Sequence, residues 1–343
     1  MSLYRSTVFI LLSFIVNAVQ AVELVVLNWD EYLAESVIEA FEKETGHTIK
    51  QVIFDSDFER DQILGGNTVS KFDLVMMDHN SIDLFANNNI LATSQIDVID
   101  PDKSIDPRWR GSCHNFGLPY SWGTLGIAYR TDKITQAPTS WSDLMSPTDE
   151  LKGHVGMMLD AADTLVPPLK LQNHSAQSEE LQDLKDAYAL LKQQKPSVLT
   201  YQYAITYLTE SKMADELYMA LVYSGDHYTL NDDEEDGPWQ YTVPKEGTSI
   251  WIDCLAVLES SQNKQAAIDF LVFINTAEVA AENSSEIWFS SPNQAALLLL
   301  DEEVLTDETL YPPQAILDMS ELYQPMSEAN ISQRNRIVNL FRR

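Results

Sequence analysis

Two short stretches far apart in the chain join aromatic rings to carboxylates: Asn28-Trp29-Asp30-Glu31-Tyr32 near the start and Trp251-Ile252-Asp253 far along. Ring faces attract positive charge through their quadrupole, and a carboxylate accepts the N–H donors of a cation. The combination suits an organic cation, and the candidate ligand is an amine. In Trp251-Ile252-Asp253 the alternation of a strand puts Trp251 and Asp253 on one face, between apolar Ile250, Ile252 and Leu255. A carboxylate in so apolar a strand is costly unless it is paired or hydrogen-bonded, which makes Asp253 the leading candidate in the chain. Asp160 and Asp163 form a third group, with a spacing that lets both face one side of a helix. The same D-x-x-D pattern is a variant of the helix capping box, and Asp30 with Glu31 equally fits an N-cap followed by first-turn acid. Both readings stay open for these acids.

Residues of this kind need elements that bring them together. An apolar strand at 24–27 leads to Trp29, and Leu33, Val37, Ile38 and Phe41 recur at helical spacing until Gly46. A second strand follows at 48–54, a short helix near 57–64 and a third strand at 72–77. This β-α-β-α-β order predicts a mostly parallel sheet with helices on both faces, whose ligands sit beyond the carboxyl ends of the strands. Trp29, Asp30 and Asp78 fall there. A second alternating unit is expected from the strand at 125–129, with further strands at 155–159 and 216–223 and helices near 140–144 and 179–193. The acidic loop 231–237, a strand within 249–257 and helices near 264–275, 293–300 and 328–341 complete it. No Ser/Gly/Pro-rich linker separates the halves, so the chain is expected to cross between two lobes more than once.

The first 21 residues read as a cleaved secretory signal: Arg5, an apolar run at 8–16 and small residues before the cut at Ala21. No later run approaches the about 20 apolar residues of a membrane span. The mature protein is therefore expected to be exported and periplasmic. Lys and Arg number 22 against 52 Asp and Glu, a net charge of −30. Such a field repels nucleic acid and gathers cations. No G-x-S-x-G, H-E-x-x-H, P-loop, C-x-x-C or G-x-G-x-x-G motif is present, and the six histidines lack ligand-like spacing. Catalytic residues, metal sites and cofactors are accordingly expected to be none. Cys113 and Cys254 pair in an oxidising compartment if they meet in space, and are otherwise two buried thiols.

The chain resembles the periplasmic spermidine/putrescine-binding proteins of polyamine ABC importers, including their sensory norspermidine-binding relatives. The resemblance rests on Asn28-Trp29-x-Glu31-Tyr32, Thr45-Gly46, Asp73-Leu74-Val75, Pro119-Tyr120-x-Trp122-Gly123 and Thr139-Ser140-Trp141-x-Asp143-Leu144. It continues through Lys152-Gly153, Pro244-Lys245-Glu246-Gly247, Trp251-x-Asp253-x-Leu255-Ala256, Pro292-Asn293-x-Ala295-Ala296 and Leu310-Tyr311-Pro312. It implies an α/β, two-lobed type II solute-binding fold with the ligand in the cleft between lobes. The expected lobes are 22–124 with 254–305, and 125–253 with 306–343. It also implies an aromatic box of Trp29, Tyr32, Tyr223, Trp251 and Phe289, amine-binding Asp160, Asp163 and Asp253, and a terminal-amine contact at Gln324. Asp30 and Asp78 replace smaller polar residues of the family pattern, and they too are candidate ligand contacts. The implied partners are a polyamine and either an inner-membrane ABC permease or a membrane receptor controlling cyclic-di-GMP. The chain is expected to work as a monomer.

Overall fold

The computed structural model describes residues 21–54, 56–231 and 237–342. The expected signal segment up to residue 20 and positions 232–236 of the acidic loop lie outside them. Ten strands form one hydrogen-bonded network: β1 Glu23–Asn28, β2 Thr48–Ile53, β3 Leu74–Asp78, β4 Gly117–Arg130, β5 Val155–Gly156, β6 Val198–Thr200, β7 Met219–Tyr223, β8 Trp239–Thr242, β9 Ser249–Val257 and β10 Glu321–Leu322. Their order is β2-β1-β3-β9-β4-β7-β5-β6, with β10 beside β9 and β8 beside β4. Both ends of the path are parallel, β2-β1-β3 and β7-β5-β6, as the alternation of strands and helices predicts. The middle is antiparallel, where β9 meets β3 and β4, and β4 meets β7.

β4 is the element that joins the lobes. Its first part, Gly117 to Thr124, lies along β9, and its second part, Leu125 to Tyr129, lies along β7. Only the second part was expected as a strand; the first contains Pro119 and Gly123, residue types that are uncommon in strand interiors. Pro119 sits at a register shift where the ladder is interrupted. Gly123 is there because the Trp251 ring lies against the backbone: a Cβ would stand 2.2 Å from Trp251 Cζ2. A strand glycine of this kind marks a close approach rather than a break.

Alternate residues of each strand enter different cores. Leu24, Val26, Leu74, Met76, Leu255 and Val257 face one way in the first lobe, and Leu27, Val75, Met77 and Ala256 the other. In the second lobe Leu125, Ile127, Met219 and Leu221 oppose Ala128, Ala220 and Val222. The helix Glu328–Arg342 returns to this second lobe, packing Ile337 and Val338 into its core. The chain therefore crosses three times, within β4, before β9 and around β10. β9 lies along β3 from Asp253 to Val257 and along β4 from Ile250 to Ala256, so Trp251 and Asp253 share a strand with Leu255 and Val257. Leu310 packs with Ala281 and Ala296.

Cys113 and Cys254 form a disulfide with Cα atoms 5.8 Å apart, buried among Leu27, Val75 and Phe54. The open question of the two thiols is thus answered in favour of pairing. The bond spans 141 residues of sequence, and loops of that size lose much chain entropy when closed in the unfolded state. Reduction is expected to destabilise the protein by about 2–5 kcal/mol. The measurement is the guanidinium midpoint with and without reductant, and an unchanged midpoint would contradict it.

Candidate functional site

A cleft of about 2650 Å³ opens between the lobes. Every residue expected from sequence to bind lines it: Trp29, Asp30, Tyr32, Asp78, Asp160, Asp163, Tyr223, Trp251, Asp253, Phe289 and Gln324. They occupy it in different ways.

On the first lobe, β9 exposes only Trp251 and Asp253 in part, while its remaining residues are buried. This is the alternation expected from sequence. Asp253 Oδ2 accepts a 2.5 Å bond from the Tyr32 hydroxyl, which also lies 3.0 Å from Ser121 Oγ. Burial pushes the Asp253 carboxyl up to about 7, against the lowering effect of the Tyr32 bond. The Tyr32 hydroxyl is raised in turn by burial and by the Asp253 charge. Phe289 meets the Tyr32 ring edge-on at 4.6 Å and Trp251 at 6.1 Å. Trp29 packs on Phe54 with centroids 4.3 Å apart. The Trp251 indole N–H is buried without an acceptor among the described residues.

On the second lobe the D-x-x-D pair divides into two roles. Asp160 is the N-cap of helix Ala161–Leu171 and accepts from the amides of Ala162 at 2.7 Å and Asp163 at 3.0 Å. Asp163 is 4% exposed and accepts from the hydroxyls of Tyr223, at 2.5 Å, and Tyr323. Burial first, and the Asp160 charge second, push Asp163 up to about 8. Tyr323 comes from the segment that follows β10, so the returning chain contributes to the site. Gln324 stands at the rim with an exposed side chain.

Sequence reasoning missed a third carboxylate. Asp226, at the start of helix Asp226–Leu230, accepts from the Tyr203 hydroxyl and from the Tyr223 amide at 2.7 Å. Burial pushes it up to about 7. The Tyr-x-x-Asp spacing after β7 was the one available signal, since it repeats an aromatic-acid pairing at a strand's carboxyl end. Three carboxylates are therefore each held by tyrosine hydroxyls: Asp253, Asp163 and Asp226.

Two expected acids behave otherwise. Asp30 is exposed in a turn and caps no helix, because the helix begins at Glu35. Its first amides are satisfied from another element, Ala34 by Asn283 Oδ1 and Glu35 by Glu286 Oε1. Asp78 caps helix His79–Asn87, and its oxygens accept from the Ser81 amide, the Ser81 hydroxyl and Arg60. Among the described residues, no group of three or more His, Cys, Asp or Glu is placed to hold a metal ion.

Two α/β lobes joined by a continuous strand, with aromatic and acidic walls on one cleft, define a ligand receptor. The chain belongs to the bacterial extracellular solute-binding protein family, whose profile matches residues 36–312. It is 34% identical over 319 residues to the norspermidine sensor of Vibrio cholerae serotype O1, covering 93% of this chain and 88% of that protein. It is 27% identical over 295 residues to the spermidine/putrescine-binding periplasmic protein of Escherichia coli K12, covering 83% and 82%. The structure of the spermidine/putrescine ABC transporter substrate-binding protein PotD from Streptococcus pneumoniae superposes with a TM-score of 0.83 at 24% identity, over 94% of this chain and 99% of that one. That likeness establishes the shared fold.

Proposed function

We propose that this protein binds an extended di- or triamine of the putrescine, spermidine or norspermidine type and presents it to a membrane partner. One observation carries the reading: Asp253 and Asp163 face one cleft from opposite lobes, and neither forms an ion pair with Lys or Arg among the described residues. A buried carboxylate held by a neutral hydroxyl is stabilised further by an incoming ammonium group. Asp253 and Asp163 anchor the amines at the two ends, with Asp226 a third acceptor. Trp29, Trp251, Phe289 and Tyr223 cover the methylene stretches, and the rings attract the adjacent cationic carbons. A charged hydrogen bond contributes about 1.5–3 kcal/mol and a desolvated cation–π contact about 2 kcal/mol. A few such anchors support the roughly 8 kcal/mol of a micromolar complex after the costs of association.

The reading includes export through the signal segment of residues 1–21 and work in the periplasm, with an ABC importer as the partner. The second output, signalling through a membrane receptor, is favoured by the 34% identity to a norspermidine sensor. Genes for an ATPase and permease beside this one would support import, and a receptor with a cyclic-di-GMP enzyme domain would support signalling. Binding is tested by thermal shift with putrescine, spermidine, norspermidine and spermine. A ligand at a hundred times its Kd adds about 2.7 kcal/mol of stability, so a clear rise in Tm is expected with at least one. No rise with any of the four would overturn the amine reading.

A further inference from the structure

Behind the wall of this acidic cleft lies a buried cation of the protein's own. Arg60, on helix Asp57–Leu64, is 1% exposed in a chain with more than twice as many acids as bases. Its guanidinium donates through Nη1 to Asp57 Oδ1 at 2.7 Å and Asp78 Oδ2 at 3.4 Å. Nε and Nη2 reach Asp61 Oδ1 at 3.0 and 2.8 Å, and Nη2 also reaches Ser81 Oγ at 3.2 Å. Every nitrogen is engaged, which is what a buried guanidinium requires. Arg60 lies behind the wall, whereas Asp57 and Asp78 lie in it.

Position makes this consequential. Asp78 stands directly opposite Asp253 on neighbouring strands. Both Asp78 oxygens are already used, Oδ1 by the Ser81 amide and Oδ2 by Ser81 Oγ and Arg60. Without the guanidinium, Asp57, Asp78 and Asp253 would form an acidic surface in the wall able to take another ammonium group. With it, Asp57 and Asp78 already hold a cation, whereas Asp253 beside them has no ion pair among the described residues.

We infer that Arg60 sets how many ammonium groups the cleft accepts, by neutralising Asp57 and Asp78 and so withdrawing these two carboxylates from ligand binding while leaving Asp253 beside them available. Arg60 is a specificity-determining residue that acts through Asp57 and Asp78, without touching the ligand. The inference rests on the amine reading above.

The test is calorimetry at neutral pH with putrescine, spermidine and spermine on wild type, Arg60→Met, Asp78→Asn and the double variant, each checked for fold by circular dichroism. Arg60→Met is expected to raise the affinity ratio of spermine to spermidine at least tenfold, because the released carboxylates gain a ligand charge. The double variant is expected to return that ratio to within threefold of wild type. Asp78→Asn alone keeps Arg60 bound to Asp57 and Asp61, and its spermidine affinity is expected to stay within threefold of wild type. A ratio unmoved in folded Arg60→Met overturns the inference. If Arg60→Met fails to fold, a tenfold or greater loss of spermidine affinity in Asp78→Asn does so, because it would make Asp78 a direct ligand contact. A wild type that binds amines in either of these cases leaves the amine reading intact; one that binds none removes both.

Discussion

The Asp253→Asn variant is expected to bind its amine two to three orders of magnitude more weakly than wild type, a loss of about 3–4 kcal/mol, while keeping its fold. Asparagine preserves the shape and can still accept from the Tyr32 hydroxyl that bonds Asp253 at 2.5 Å. What it removes is the negative charge beneath the Trp251 and Phe289 rings, and a cation desolvated there has no substitute counterion. Trp251→Ala should produce a loss of similar size by opening the wall, since the ring packs against Gly123 and Phe289. Calorimetry on both variants decides the matter: affinity within threefold of wild type in both would remove this pair from the site. Asp160→Ala provides the contrast. Asp160 bonds two amides of its own helix, so its loss should show in stability, by about 1 kcal/mol, more than in the specificity of binding.

The second large effect is a coupling between protons, stability and ligand. Asp163 is pushed up to about 8, and Asp253 and Asp226 to about 7, each chiefly by burial. Near neutral pH the empty cleft therefore holds protons that an unfolded chain would release. For acids whose folded value is raised, the folded state binds more protons between the unfolded and folded values, so stability falls as pH rises through that window. Through these three acids the empty protein should lose stability between about pH 4 and pH 8, a loss offset in part below about pH 6.5 by His227, whose value burial lowers to about 4. An ammonium ligand reverses the sign, because it needs the carboxylates and displaces their protons. Its affinity should rise with pH, by up to about tenfold per unit for each proton displaced, and level off above about pH 8. Binding at pH 6.5 should release protons, seen as binding enthalpies that depend on the ionisation heat of the buffer. Asp163→Asn should remove the largest single share of this dependence and stabilise the empty protein at pH 8 by about 1–3 kcal/mol, with little change at pH 4. Affinity that stayed flat from pH 6 to pH 8, with no proton release, would contradict the assignment of these carboxylates to the ligand.

These effects share one cause. Each of the three acids lies against a tyrosine, Asp163 buried and Asp253 and Asp226 half-buried, where water stabilises its charge less than in solution and the hydroxyl makes up part of the difference. The empty site is costly to the fold and the ligand relieves that cost, so binding strength and stability trade against each other at the same atoms.

The outlines of this site were legible from sequence wherever a local period carried them. Trp251 and Asp253 alternate in an apolar strand, and that period of two survives into the structure as the only partly exposed positions of β9. Trp29 and Tyr32 follow a strand directly, and the order of strands and helices is enough to place them at its carboxyl edge. The resemblance to polyamine-binding proteins rests on motifs of the same local kind.

Contacts between distant residues were not legible. Nothing in Asp160-x-x-Asp163 distinguishes the helix cap from the buried acid; the choice comes from Tyr223 and Tyr323, which are 60 and 160 residues from Asp163. Asp30, conspicuous beside Trp29, caps nothing because Asn283 and Glu286 supply the helix from 249 and 251 residues away. Asp226 and Tyr203 meet across 23 residues with no shared pattern, and Arg60 reads as one more charged residue on a polar helix until Asp78 and Ser81 close over it. The pairing of Cys113 with Cys254 and the extension of β4 through Pro119 and Gly123 are of the same kind. Sequence alone determined the chemical class of the cleft and the elements that carry it, because propensity, period and charge are local. Only the tertiary structure decided which carboxylates keep a free charge for a ligand, because that depends on the hydroxyls, amides and guanidinium that folding brings to each one.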